Sequence, residues 1–191
     1  MNGTSEHVLE GSLAELDRAF FANERSARTL VDGLSEPHGT WRAAPGSWSI
    51  AECLDHLAVG NRVYLAAMEP PANRARSEGR VQRSDAVPGL IGGWFVRSLE
   101  PPVRRRLRAP RKIVPRVGPP LADAAAAFLA SHAQVVSFLH EYGGVDLAGV
   151  RFPNPFIPGV RFSLATGLHV LAAHERRHLW QAWNVRGACG V

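Results

Sequence analysis

Residues 163–187 read SLATGLHVLAAHERRHLWQAWNVRG, and this stretch predicts the last helix of the chain. Ser163 is a typical N-cap, because its hydroxyl can accept a hydrogen bond from a free backbone N–H of the first turn. Gly187 is expected just beyond the end of the helix. His174 and His178 are four residues apart and share one helical face, so both imidazoles can reach one metal ion. The segment therefore predicts a long helix that offers two metal ligands.

The first predicted helix runs from about Ser12 to Val31. Ser12 and Glu15 have the spacing of a capping box, in which each side chain bonds a free backbone N–H near the other residue. Gly33 suits a left-handed stop after the last turn. Apolar residues recur every three or four positions between these ends, which indicates one buried face.

The second predicted helix also opens with a capping box, formed by Ser49 and Glu52. It is expected to end near Met68. Pro70 and Pro71 follow, and proline lacks the backbone N–H that a helix interior requires.

The third predicted helix lies between Pro119-Pro120 and Gly143-Gly144 and is rich in alanine. Residues 70–120 hold most of the 14 prolines and are predicted to form a long crossover over the other helices, with the function of a lid. Its segment VPGLIGGWFVRSL (87–99) could form a short helix. Strand alternation is absent from the sequence. The pattern therefore predicts an all-α four-helix bundle, with residues 1–191 as a single domain.

Composition places the chain among globular proteins, with 46% hydrophobic and 20% charged residues. No apolar stretch approaches the roughly 20 residues of a membrane span. Residues 1–20 carry acids where a secretory signal would have a basic end and an apolar block. Cys53 and Cys189 lie far apart and form no CxxC motif, which fits a reducing compartment. We therefore expect a cytoplasmic protein without a membrane segment.

The net charge of +5 owes much to one basic run. Residues 104–116 contain seven basic residues and no acid, and such a run can bind phosphates by counterion release. Neither an aromatic stacking pattern nor a helix-turn-helix signature accompanies it. A solvated connector is therefore favoured, and nucleic acid or another anionic partner stays the minor hypothesis.

A third metal ligand is needed, because two imidazoles do not hold an ion firmly. His56 is the best candidate, since it lies two turns into the second predicted helix on its apolar face. Gly60, one turn later on the same face, would leave room beside the ring for a ligand or water. His169 lies on another face of the last helix. His132 and His140 on the third predicted helix stay open, although neither has a partner on its own face.

Residues 174–178 also spell H-E-x-x-H, the pattern of zinc proteases. A zincin needs a third ligand downstream of this motif. The 13 residues that follow His178 contain neither histidine nor glutamate. The sequence also predicts no strand that could bind a peptide. The protease interpretation is therefore rejected.

Two segments of the chain resemble the DinB/YfiT-like metalloenzyme superfamily. APGSWSIAECLDHL (44–57) resembles the start of the family's second helix, a Trp-Ser-Ile run followed by a histidine. GVRFSLATGLHVLAAHERRHLWQA (159–182) is similar to its last helix, with H-x-x-x-H followed closely by Gln. The connector EPPVRRRLRAPRKIVPR (100–116) is similar to connectors of some members. The resemblance covers about residues 10–185.

The resemblance implies an up-down-down-up bundle in which one histidine of the second helix and two of the last coordinate a divalent metal ion. These ligands carry over to His56, His174 and His178. The metal in family members is zinc, nickel or iron. Relatives include transferases and isomerases that use low-molecular-weight thiols, alongside members without known activity. The family also allows a homodimer.

Three neutral nitrogen ligands would leave at least one coordination position open, which is typical of catalytic sites. The pKa of a water there would fall towards about 7, and a thiol there would lose its proton. The ligand set does not choose between hydrolysis and thiol transfer. Three further side chains are weak candidates. Glu52 is better explained by its capping box and Glu175 by a surface ion pair, while Gln181 could donate a hydrogen bond to substrate.

The sequence therefore favours a metal-dependent enzyme, a hydrolase or thiol-dependent transferase, that acts on a small molecule. The second hypothesis is a non-catalytic metal-binding or stress-related module. In that case the basic run at residues 104–116 contacts an anionic partner.

Overall fold

The computed structural model describes residues 11–102, 110, 113–115 and 117–190. All seven basic residues of the run at 104–116 lie outside the described residues, so its function stays a prediction.

Helices dominate the described residues. In chain order the elements are α1 Ser12–Val31, α2 Glu36–Thr40, α3 Ile50–Ser77, α4 Leu90–Leu99, α5 Leu121–Tyr142, β1 Arg151–Pro153, β2 Arg161–Ser163 and α6 Leu164–Cys189. The four long predicted helices are α1, α3, α5 and α6, and the short helix expected in the crossover is α4. α3 packs against α5 and α6, and α1 packs against the same two helices. The mostly helical fold is therefore confirmed.

α3 does not end before its two prolines but continues through Pro70 and Pro71 to Ser77. Each proline removes one helical hydrogen bond. Beyond them, Ala75 is buried in the core. The hydroxyl of Tyr142 on α5 donates to Asn73 Oδ1 at 2.6 Å. Packing on α5 therefore holds the last turns of α3, and the predicted end near Met68 is wrong.

Two helix ends also differ from the prediction. Gly11 is the N-cap of α1, and the Ser12 hydroxyl accepts a hydrogen bond from the backbone N–H of Ala86 instead of capping its own helix. α6 continues through Gly187 to Cys189 and ends at Gly190, which has the left-handed conformation. Ser12 thus has a tertiary partner instead of a capping role, and Gly187 lies inside α6 instead of after its end.

The segment before α6 contains a short hairpin that the sequence did not predict. β1 and β2 pair antiparallel, with Phe152 opposite Phe162. Both phenylalanines are buried, while Arg151 and Arg161 on the other face are exposed. Three residues per strand are too few for alternation to stand out from a proline-rich loop.

Buried apolar residues form two clusters. The hairpin-end cluster includes Phe20, Met68, Leu139, Phe152 and Leu168. The histidine-end cluster includes Leu30, Leu57, Phe128 and Leu179. In α1 and α6 the N-terminal half contributes to the hairpin-end cluster and the C-terminal half to the histidine-end cluster. In α3 and α5 the order is reversed.

α5 is the one helix in the described part of the chain that is long and apolar enough to cross a membrane. The prediction that no such stretch exists is therefore wrong for this segment. Core helices of globular proteins pass the same test, and α5 packs against α1 and α3. A cytoplasmic location and the absence of a membrane segment stay predictions.

Candidate metal centre

Three histidines from two helices lie together beside the histidine-end cluster. His56 comes from α3, and His174 and His178 come from α6. Their potential ligand atoms all lie within 4.8 Å of one another. Nε2 of His56 is 3.0 Å from Nε2 of His174. The structure thus brings together the three residues that the sequence and the resemblance single out.

Local sequence signals place these helices. Ser49 and Glu52 form the predicted capping box, which starts α3 two turns before His56. Ser163 caps α6 by accepting a hydrogen bond from the backbone N–H of Thr166 at 3.1 Å. Both caps satisfy orphan N–H groups and so define where each helix begins.

Hydrogen bonds at the far side of two rings decide which nitrogen is available to a metal. His56 Nδ1 donates to the backbone carbonyl of Ile113, which belongs to the predicted crossover. His178 Nδ1 donates to Gln181 Oε1 at 3.1 Å. A proton on Nδ1 leaves Nε2 as the free lone pair in a neutral ring. Such partners fix ring orientation in metal sites. Gln181 therefore contacts His178 through its carbonyl oxygen.

The donor set fits a divalent ion. Metal–nitrogen bonds of about 2.0–2.1 Å in a tetrahedral site place two ligand nitrogens roughly 3.3 Å apart. The separation between the Nε2 atoms of His56 and His174 is close to this value. Imidazole suits zinc, nickel and iron alike, so the donor set does not select the metal.

Burial keeps the three rings neutral. It lowers the pKa of His56 to about 4, although the hydrogen bond to Ile113 acts in the opposite direction. Burial also lowers the pKa values of His174 and His178 well below 6.5, and the neighbouring His56 ring adds to both shifts. Neutral imidazole is the form that binds metals, so the rings are ready for an ion at neutral pH.

Trp48 and Gly60 form part of the wall around the rings. The Trp48 ring centroid lies 4.7 Å from that of His56 and 5.5 Å from that of His178. A Cβ on Gly60 would lie 3.1 Å from Cε1 of His174. The space that the glycine leaves is taken by the ring of His174, and not by a ligand or water beside His56 as the sequence suggested.

Glu52 does not touch the histidine rings through any hydrogen bond in the described structure. Its carboxylate accepts from the backbone N–H of Ser49 and pairs with Arg42. The interpretation of Glu52 as a capping residue is confirmed.

Glu175 lies in the core, and the expectation of a surface ion pair is wrong. Its side chain is fully buried. The carboxylate accepts hydrogen bonds from Asn23 Nδ2 at 3.0 Å, Asn61 Nδ2 at 2.9 Å and His132 Nδ1 at 3.1 Å. One residue along a helix turns the side chain by about 100°, so Glu175 faces the core between the helices while His174 faces the ion site.

Glu175 and its partners form a buried polar layer that includes one or more residues from each long helix. Asn23 is on α1, Asn61 on α3, His132 on α5 and Glu175 on α6. On every one of these helices the layer residue falls between the two apolar clusters. Burial alone would lower the pKa of His132, but the hydrogen bond and charge of Glu175 raise it overall. The layer therefore contains a buried carboxylate hydrogen-bonded to an imidazole, which the sequence did not predict.

The remaining described histidines on the long helices have partners away from the site. His169 Nε2 donates to the carbonyl of Ala86 at 3.0 Å, in agreement with its predicted orientation. His140 pairs with Asp17 at the surface. His132 bonds Glu175 and is not part of the group of three.

Comparison with known proteins is consistent with this geometry. A family model described as DinB superfamily matches residues 19–182, which is most of the chain and includes His56, His174 and His178. No curated protein matches the chain.

Proposed function

The chain belongs to the DinB superfamily, and from this premise we propose that it is a metal-dependent enzyme acting on a small molecule. The reaction is hydrolysis or transfer to a low-molecular-weight thiol. The observation that supports this proposal is the convergence of three buried, neutral imidazoles from two helices.

A divalent ion on these rings would supply a strong electrophile that lowers the pKa of a water or thiol ligand. His56, His174 and His178 would hold it through nitrogen. Ile113 and Gln181 orient two of the rings by accepting their Nδ1 protons. Zinc, nickel and iron are the proposed metals.

Trp48 is the aromatic residue that contacts two of the three rings. Its indole offers an apolar surface and keeps water from one side of the imidazoles. Three other tryptophans do not have this position. Trp94 is 65% exposed, Trp180 is 38% exposed, and Trp183 donates to Ser26.

The up-down-down-up arrangement of the long helices is part of the proposal. It is supported by the opposite order in which α1 and α6, compared with α3 and α5, meet the two apolar clusters. In this arrangement the neighbouring helices α3 and α6 run antiparallel. His56 on α3 and the histidine pair on α6 would then lie at the same level of the bundle.

A non-catalytic metal-binding module is the second candidate. Glu175, the acid next to His174, is held by three buried donors and is not available as a general base. In this second candidate the basic run at residues 104–116 contacts an anionic partner. A homodimer is a further prediction that neither candidate requires.

Elemental analysis of the purified protein tests the metal assignment. We expect close to one ion per chain in the wild type and in His140→Ala, and loss of that ion in His174→Ala. Turnover of ester and thiol-transfer substrates that disappears with a chelator and returns with metal would support the enzyme. Retention of metal by His174→Ala would end the assignment, whereas bound metal without turnover would favour the module.

A further inference from the structure

A groove of about 430 Å³ lies between the last turns of α3 and the β1–β2 hairpin. This volume falls in the range of small-molecule sites. Its first residue on α3, Pro70, is fourteen residues after His56 and thus roughly 21 Å further along the helix. The groove is therefore separate from the histidine site.

Four arginines line the groove, two of them on one face of the hairpin. In the register of the strands, Arg161 lies opposite Pro153, so Arg151 and Arg161 are diagonal neighbours on the exposed face. Diagonal neighbours are within reach of long side chains, and like charges so placed repel. Arg161 Nη2 donates to the carbonyl oxygen of Arg151 at 3.3 Å, which holds one guanidinium over the hairpin.

Acidic residues compensate only part of this charge. Arg80 pairs with Asp146 at 3.0 Å. Arg74, Arg151 and Arg161 make no ion pair with an acid in the part of the chain that the structure describes. Glu78 is the acid that lines the groove itself. Three arginines against one glutamate leave about two positive charges facing the groove.

The rest of the lining is mainly apolar. Pro70 and Pro71 of α3 contribute to it, together with Val150 and Pro153 from the segment that leads through β1. Two prolines inside a helix cost hydrogen bonds. Their rings give this groove a rigid apolar wall.

We propose that the groove binds an organic phosphate, a small molecule with a phosphate group on an apolar body. Guanidinium groups bind phosphate oxygens through paired N–H donors. A phosphate dianion matches the two uncompensated charges better than a singly charged carboxylate does. The apolar body would cover the exposed proline rings, which inorganic phosphate cannot do.

Isothermal titration at low salt with phenyl phosphate tests the proposal. Three comparison probes each lack one part of this ligand. Inorganic phosphate lacks the apolar body, benzoate carries a carboxylate in place of the phosphate, and benzyl alcohol carries no charge. We expect phenyl phosphate to bind more tightly than all three. Arg151→Gln and Arg161→Gln should each weaken its binding by about tenfold, as expected for a lost charged hydrogen bond. Arg18→Gln, at an exposed position on α1, should leave binding unchanged.

A metal-free His174→Ala variant separates this site from the histidines, and circular dichroism checks that each variant is folded. Unchanged binding of phenyl phosphate by His174→Ala supports the groove, and its loss overturns the proposal. Equal weakening by Arg18→Gln would show general charge attraction and would also overturn it. Preference for benzoate, or equal affinity for inorganic phosphate, would contradict the proposed ligand class.

Discussion

Asn61 Nδ2 on α3 donates a hydrogen bond of 2.9 Å to Glu175 Oε1 on α6. Asn61 follows His56 by five residues, and Glu175 directly follows His174. The same carboxylate accepts hydrogen bonds from α1 and α5. One buried carboxylate therefore joins α6, which carries two of the histidines, to α3, which carries the third.

Breaking the buried pair of His132 and Glu175 should cost far more stability than breaking the exposed pair of His140 and Asp17. Removing one partner of a buried pair leaves an uncompensated charge and costs about 3–5 kcal/mol. We expect His132→Leu to lower the free energy of unfolding by this amount, measured by urea denaturation of the metal-free protein. His140→Leu, which breaks the exposed pair with Asp17, should cost less than about 1 kcal/mol. Similar losses in the two variants would contradict the importance of the layer.

Gln181 should affect the metal site without being a ligand. Gln181→Leu removes the acceptor of the His178 Nδ1 proton and frees the ring to rotate. Loss of such a partner typically lowers metal affinity by about 10–100-fold. Competition with a chromophoric chelator would measure this, with Gln134→Leu on the exposed side of α5 as control. An unchanged affinity would show that the hydrogen bond does not orient the ring.

Gly60 should be sensitive to a single methyl group. In Gly60→Ala the new Cβ would lie 3.1 Å from His174 Cε1, so the ring must shift by a few tenths of an ångström. Overpacking of this kind costs about 1–3 kcal/mol. We expect metal affinity to fall roughly tenfold or more. In Gly93→Ala the Cβ meets the flexible end of Arg97, and metal affinity should not change. Wild-type affinity in Gly60→Ala would mean that the ring is free to move aside.

The metal-free protein should lose stability in mild acid. The pKa of His56 is about 4 in the folded protein, mainly through burial, and about 6.5 in the unfolded chain. The unfolded state therefore binds more protons between these values. Stability is fully present above pH 6.5 and falls as the pH drops towards 4, by up to about 1.4 kcal/mol per pH unit for each such histidine.

Urea unfolding across this pH range would check the expectation. Metal-free His56→Gln should show a shallower decline than the wild type. His132 has a raised pKa and acts in the opposite direction, but it does so in both proteins and cancels in the comparison. Equal slopes for the two proteins would contradict the assigned burial of His56.

The sequence predicted the helix starts correctly where the stabilising hydrogen bonds join residues that are close in the chain. The capping box of Ser49 and Glu52 and the cap at Ser163 join groups three residues apart, so short-range spacing reveals them. The same holds for His174 and His178, one turn apart on α6. Their association with His56 needed the family resemblance in addition, because no local pattern links α3 to α6.

Predictions were wrong where a distant partner decides the outcome. Ser12 has the right spacing for a cap but bonds Ala86. Pro71 has the character of a helix stop, yet packing on α5 carries α3 past it. Glu175 sits among arginines in the sequence and still lies in the core.

The sequence by itself determined the positions of the four long helices, the caps at Ser49 and Ser163 and the histidine pair on α6, because these depend on periodicity and on groups a turn apart. Only the tertiary structure decided that the Ile113 carbonyl bonds His56, and that Glu175 is enclosed by donors from three other helices. Such contacts join residues tens of positions apart, and their free energy depends on burial that arises when the helices pack.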